Sequence, residues 1–196
     1  MPIAESQAAE HHAQVRDRLC DYDAYYRLTD EGEYFEIFDG RAQPMAPAPT
    51  DFHQRISGNL YYALRTFLAQ HPLGELRYAP LDVIFSERIV TQPDLLFVRN
   101  EHREQLHQRG VFGAPDLVIE ILSPSTALTD QRRKREVYAE QGVPEYWIVD
   151  PDAEAIEVLT LKDGTYETLA FARAGEPIRS SVLVGLELKA DVVFGS

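Results

Sequence analysis

The sequence predicts an α/β fold, a mixed β-sheet core flanked by helices, and two observations carry that expectation. Apolar residues at helical spacing (Ile56, Leu60, Leu64, Phe67 and Leu68) precede three short apolar runs suited to strands. A second helical stretch then leads into a fourth such run, giving the order helix, three strands, helix, strand with β-hairpins added at both ends. At 196 residues and 44% hydrophobic, the chain can bury one substantial core, so residues 21–196 are expected to form a single domain.

The first twenty residues alternate small and charged side chains without an apolar stretch, which predicts a mobile arm, and they hold neither a signal peptide nor a membrane anchor. His11 and His12 in this arm are read as a solvated pair. Tyr34-Phe-Glu-Ile-Phe38 is strand-like and meets Asp39-Gly40, a two-residue hairpin signal, with Arg41 to Met45 as the return strand. Pro44-Met-Ala-Pro-Ala-Pro49 reads as an extended connector. Thr50 or Asp51 then caps a helix over about residues 50 to 70. The three strand candidates are Leu81 to Phe85, Pro93 to Val98 and Pro115 to Leu122, the last apolar on both faces and therefore central. A Ser123-Pro-Ser-Thr126 cluster ends it, Ala127 to Gln141 form the second helix, and Gly142 closes that helix. Glu145 to Val149 form the next strand. A hairpin around Asp163-Gly164, joining Ala155–Leu161 to Tyr166–Ala172, and a stretch rich in Val and Leu complete the chain.

Nineteen basic against 32 acidic residues give a net charge of −13, the wrong sign for long-range attraction to a polyphosphate. A local basic strip, a divalent ion or the combined surface of a dimer could offset that repulsion. The single Cys20 excludes an internal disulfide framework and a four-cysteine zinc site, which fits a reducing, cytoplasmic location.

Alternation along the third strand puts Asp116, Val118 and Glu120 on one side, so Glu120 is a carboxylate within an apolar strand. If the strand holding Asp94 is its neighbour, the two acids can converge on one cation. Two unit charges about 4 Å apart repel by roughly 4 kcal/mol at an effective dielectric near 20, so such a pair implies a metal, a lysine or a shared proton. Asp130, Lys134 and Tyr138 are spaced by four on the following helix and share a face that can look back at Glu120. A lysine there could orient a water near a metal or stabilise charge building on a scissile phosphate. The bland alternatives are a turn role for Asp94, a structural pairing for Glu120 and a solvated helix face for Lys134 within Arg132-Arg-Lys-Arg135. Asp82 and Asp116 are further ligand candidates, and Tyr138, Tyr146 and Trp147 read as core.

Taken together, Pro93-Asp94, the strand ending in Glu120-Ile-Leu-Ser-Pro-Ser125, Asp130-x-x-x-Lys134-x-x-x-Tyr138, Gly142-Val143 and Glu145-Tyr-Trp147 resemble the Uma family. That family is a restriction-endonuclease-like group within the PD-(D/E)xK nuclease superfamily, and the similarity runs over about residues 22 to 190. The resemblance implies metal-binding roles for Asp94 and Glu120 and a catalytic role for Lys134, with Mg²⁺ or Mn²⁺ as cofactor and nucleic acid, DNA foremost, as substrate. Glu36 and His53 match positions that the family pattern favours, and either could complete the site; Glu36 could instead pair within its hairpin and His53 cap its helix. The sequence departs from the superfamily pattern in one respect. The lysine usually sits two residues after the acid, where this chain has Leu122, and Lys134 from the next helix supplies it instead, with Arg133 and Arg135 as rivals.

Three functions compete at this stage. A metal-dependent endonuclease uses all three residues. A non-catalytic nucleic-acid-binding or assembly module on the same fold accommodates the acidic charge and the relocated lysine. A two-carboxylate glycosidase leaves Lys134 idle and ranks last. A homodimer is expected, because extra hairpins leave sheet edges to cover, and no membrane partner is expected.

Overall fold

The structure, a computed structural model, describes residues 21–30, 35–45, 50–123 and 128–195. The N-terminal arm with His11 and His12, Tyr34, most of the Pro44–Pro49 connector, residues 124–127 of the Ser-Pro cluster and the side chain of Asp130 lie outside the described residues.

The core sheet has six strands in the order β12-β11-β10-β9-β6-β3. These are β3 (Gly74–Tyr78), β6 (Leu95–Arg99), β9 (Leu117–Ile121), β10 (Glu145–Asp150), β11 (Ala155–Lys162) and β12 (Thr165–Arg173). Only β9 and β10 are parallel; β6 pairs with β9 antiparallel, as do the other neighbours, so the sheet is mixed. A parallel pair needs a long crossover, and helix α3 (Leu128–Glu140) provides it. The expected order of helix, three strands, helix, strand is therefore present, with β9 central. Its first strand is corrected: Gly74–Tyr78 fills that place, and the expected Leu81 to Phe85 belongs to a different sheet. The signal was weak in β3 because that strand lies at the sheet edge and buries only Leu76 fully.

Helix α2 (Asp51–Gln70) starts at Thr50, whose hydroxyl accepts the His53 N–H at 3.2 Å. Its apolar stripe of Ile56, Leu60, Leu64 and Leu68 packs on one face of the core sheet against Leu76, Leu95, Phe97, Ile119 and Trp147. The Val- and Leu-rich tail closes this layer: short strands β13 (Pro177–Ile178) and β14 (Leu188–Lys189) pair, and helix α4 (Ala190–Phe194) lies against α2.

The other face carries α3 and a second six-stranded sheet, ordered β2-β1-β5-β4-β8-β7. Its strands are β1 (Phe35–Phe38), β2 (Arg41–Pro44), β4 (Val83–Ser86), β5 (Ile89–Thr91), β7 (Leu106–His107) and β8 (Gly110–Phe112). The β1–β2 hairpin turns at Asp39 and Gly40, both at positive φ, which is the geometry an Asp-Gly turn favours. Val83 and Val111 of this sheet pack against Leu96 and Val98 of the core sheet. Helix α1 (Tyr22–Asp30), which no periodicity had indicated, lays Tyr25 on Phe35, Ile37 and Val90. No helix among the described residues is long and apolar enough to cross a membrane.

Candidate active site

The site forms where the second sheet meets the core sheet, with side chains from β1, β9, α2, α3 and the residue before β6. Leu95 and Ile119 are register partners in β6 and β9, and both point into the layer beneath α2. Asp94 and Glu120 are their neighbours, one residue away in each case: alternation turns Glu120 to the opposite face, towards α3 and the second sheet, while Asp94, just before β6 begins, meets His53 of the α2 layer. Asp94 Oδ2 accepts the Ile121 N–H at 2.7 Å, which ties the two strand ends together. A carboxylate held by a backbone donor in this way is fixed in direction without being neutralised.

Helix α3 delivers two groups to one oxygen. Lys134 Nζ lies 3.0 Å from Glu120 Oε1, and the Tyr138 hydroxyl donates to the same atom at 2.7 Å. The i, i+4 spacing read from the sequence thus places lysine and tyrosine together above the acid. Lys134 Nζ also sits 3.1 Å from Glu36 Oε1 of β1, and its side chain is only 11% exposed. Glu36 reaches partners outside its hairpin. Its second donor is the Gln92 N–H, 3.0 Å from Oε1. From the helical layer His53 joins the site, with Nε2 3.3 Å from Asp94 Oδ1 and Nδ1 buried without a hydrogen-bond partner among the described residues. Thr50, not His53, caps α2.

Electrostatics sharpen the picture. Burial raises the Glu120 carboxyl, Lys134 opposes that rise, and the charges of Asp94 and Glu36 add to it, with the net result at about 7. The His53 imidazole is also raised, chiefly by its hydrogen bond to Asp94, with burial opposing. Three carboxylates therefore face one lysine and one titratable histidine. This is a site short of positive charge, and a divalent cation would correct the deficit. Among the described residues no three His, Cys, Asp or Glu side chains are grouped as a ready-made cage for a metal. The residues that could hold one are Asp94 and Glu120, since one or two carboxylates completed by water and substrate oxygens is how Mg²⁺ is commonly held.

The remaining candidates go elsewhere. Arg133 stacks on Phe38 and reaches Gln43 Oε1 at 3.1 Å, and Arg135 donates to the Tyr166 carbonyl at 3.2 Å, so Lys134 is the cation at Glu120. Asp116 is buried and accepts the Arg99 N–H at 2.8 Å and His102 Nδ1 at 3.0 Å. Asp82 is bonded to Tyr25 and Gln92. Tyr138, Tyr146 and Trp147 are core, as expected. Glu145, fully buried, takes five donors from Trp147, Ser180, Ser181 and Val182 at 2.6 to 3.2 Å, and so anchors the tail segment to β10. Sequence reasoning missed Gln92 and Tyr25; only the polar residue before Pro93-Asp94, in an otherwise apolar context, could have pointed to the former.

The family model that matches this chain is Uma2, described as "Putative restriction endonuclease", over residues 22–192. The chain belongs to the Uma2 family. A solved structure described as a "putative nuclease belonging to DUF820" from Anabaena variabilis superposes with a TM-score of 0.73 at 19% identity, covering 89% of this chain and 97% of that one. At that identity the likeness supports the fold, which is restriction-endonuclease-like. No curated protein matches this Uma2 chain. Family and fold together make it nuclease-like.

Proposed function

We propose that this Uma2 protein is a divalent-metal-dependent endonuclease that hydrolyses phosphodiester bonds of nucleic acid, working as one domain over residues 21–196. The observation that carries the reading is the charge deficit: Glu120 and Glu36 share Lys134, and Asp94 lies close enough to add its charge at Glu120. Asp94 and Glu120 would hold Mg²⁺ or Mn²⁺, which supplies charge neutralisation at the phosphate and an acidified water. Lys134, held on Glu120 Oε1, is placed to stabilise charge on the scissile phosphate or to orient the attacking water. Tyr138 keeps the Glu120 oxygen directed while burial keeps bulk water out. His53 orients Asp94 from the opposite side.

The family description favours DNA as the substrate. A homodimer fits the two edge strands of the core sheet, β3 and β12, which have a partner on one side only. The single cysteine fits a cytoplasmic location. The deciding experiment incubates the protein with single-stranded DNA, duplex DNA and RNA in Mg²⁺, Mn²⁺ or chelator. Cleavage that requires the metal is expected. A protein that binds nucleic acid but cuts none of the three with either metal is the non-catalytic module instead, and a monomer by light scattering at micromolar concentration ends the dimer.

A further inference from the structure

A second polar cluster lies behind the site, and it is continuous with it. The Tyr25 hydroxyl of α1 donates to Asp82 Oδ1 at 2.6 Å, and Gln92 Nε2 donates both to that oxygen at 2.7 Å and to the Tyr25 hydroxyl at 2.9 Å. Gln92 is buried, and its own backbone N–H is the donor that holds Glu36 Oε1, the atom shared with Lys134. Tyr25 and Asp82 thus hold the Gln92 side chain, the Gln92 backbone N–H holds Glu36, and Glu36 pairs with Lys134, which links α1 to the lysine. The neighbouring Thr91 is buried, with Oγ1 3.5 Å from the Tyr138 hydroxyl, and Pro93 and Asp94 follow directly. A buried polar network costs stability unless each member is satisfied, and a satisfied one fixes a single arrangement. Nothing in packing the second sheet requires an amide, a carboxylate and a phenol here, since Ile37, Val90 and Phe35 already form its apolar contacts.

We infer that Tyr25, Asp82 and Gln92 are positioning residues that act through Glu36 on Lys134, so that the N-terminal helix α1 sets the placement of the site's lysine. The inference rests on the nuclease reading for what Lys134 does, but the placement itself is a separate property. Glu36 would otherwise be free to follow the lysine or to swing from it. Bonded to a backbone N–H whose residue is clamped by two side chains, it becomes a fixed post. The ammonium is then held by two oxygens, at 3.0 and 3.1 Å.

The chain has three lysines, Lys134, Lys162 and Lys189, so lysine-selective ¹³C labelling gives three resolvable side-chain signals, and the Lys134→Met variant assigns one of them. In the intact protein the two Lys134 Hε protons should be inequivalent, as for an immobilised side chain. Tyr25→Phe, which removes one hydroxyl, should shift and average that signal and leave those of Lys162 and Lys189 in place. Where the wild type cuts, Tyr25→Phe should lower kcat by about tenfold or more with little change in KM, as misplacement of a catalytic group does. The same substitution should have no further effect in the Lys134→Met background, because its action passes through that residue. A folded Tyr25→Phe protein with an unmoved Lys134 signal overturns the inference, as does an additive double variant. Should Tyr25→Phe fail to fold, Gln92→Met tests the next link by the same signal. A wild type that does not cut, with a Lys134 signal that moves in the variant, overturns the nuclease reading and leaves the positioning intact.

Discussion

Replacing Lys134 by methionine keeps the stem and removes the charge, so it isolates what the ammonium does. Glu36 and Glu120 oxygens are 3.1 and 3.0 Å from Nζ, and both side chains are nearly buried. Each oxygen is about 3 Å from one nitrogen, so the two lie within roughly 6 Å of each other, where unit charges repel by about 3 kcal/mol at an effective dielectric of 20. Removing one partner of a buried ion pair costs about 3 to 5 kcal/mol in measured cases, which agrees in scale. Urea denaturation of the metal-free protein at a pH near 8 should therefore show Lys134→Met to be less stable than wild type by about 3 kcal/mol. The deficit should shrink as pH falls towards about 7, because without the ammonium Glu120 takes up its proton at a still higher pH than in the wild type, and it should shrink in saturating Mg²⁺. Cleavage should fall by roughly a hundredfold or more, the scale on which preorganised electrostatic donors act. A loss of less than about 0.5 kcal/mol, with cleavage unchanged, is the behaviour of a solvated helix face and would refute the reasoning.

Three further outcomes follow from the same geometry. Asp94→Asn and Glu120→Gln should each abolish both cleavage and the metal-induced rise in melting temperature, read by calorimetry with and without Mn²⁺; a full thermal shift in either variant removes that residue from the ligand set. In metal-free protein, Glu120 and His53 are both raised above their unfolded values, so the folded state binds more protons and their contribution to stability is lost as pH rises through the folded values. Metal binding should consequently release protons and stabilise more strongly at about pH 8 than at pH 6, and a stabilisation that weakens with rising pH would contradict the charge assignment. Glu145→Gln should lower the melting temperature by several degrees, because a carboxylate with five donors is replaced by a group that must turn one of its own donors towards them; unaltered metal affinity is expected, and a selective loss of metal binding at unchanged stability would move Glu145 into the site.

The parts of this architecture that were legible in the sequence are those written in local periodicity. The stripe from Ile56 to Leu68, the doubly apolar run around Val118 and the two Asp-Gly hairpins each bury one face or turn at one place, and each forms where it was expected. What escaped is what depends on partners distant in the chain. Gly74–Tyr78 is an edge strand with one fully buried side chain, while Val83–Ser86 reads as a core strand but pairs in the second sheet. Helix α1 is held by tyrosines, whose rings do not register as an apolar stripe. For the candidate site, the spacing of Lys134 and Tyr138 and the strand alternation at Glu120 gave the facing groups correctly. The contacts of Glu36 with Lys134 and Gln92 could not be read, because they span about a hundred and about fifty residues and exist only once the two sheets meet.

That meeting of sheets also accounts for the displaced lysine. The superfamily pattern would put it at position 122, on the same face of the strand as Glu120. Here Leu122 donates its N–H to the Val149 carbonyl and packs its side chain into the apolar group around Tyr138 and Tyr146. A lysine stem at that point would have to thread between two buried rings to bring its ammonium back to Glu120. Helix α3 approaches the same carboxylate from above, and from position 134 the amine reaches Oε1 while its stem lies between α3 and β1. The leucine thus packs the strand against the helix, and the helix brings Lys134 to Glu120 Oε1. Leu122→Lys in the Lys134→Met background tests whether position alone matters: if the strand position can still deliver an ammonium to Glu120, cleavage should recover in part at a cost in stability. Recovery to the full wild-type rate without that cost would mean that the packing of Leu122 does not determine where the lysine sits.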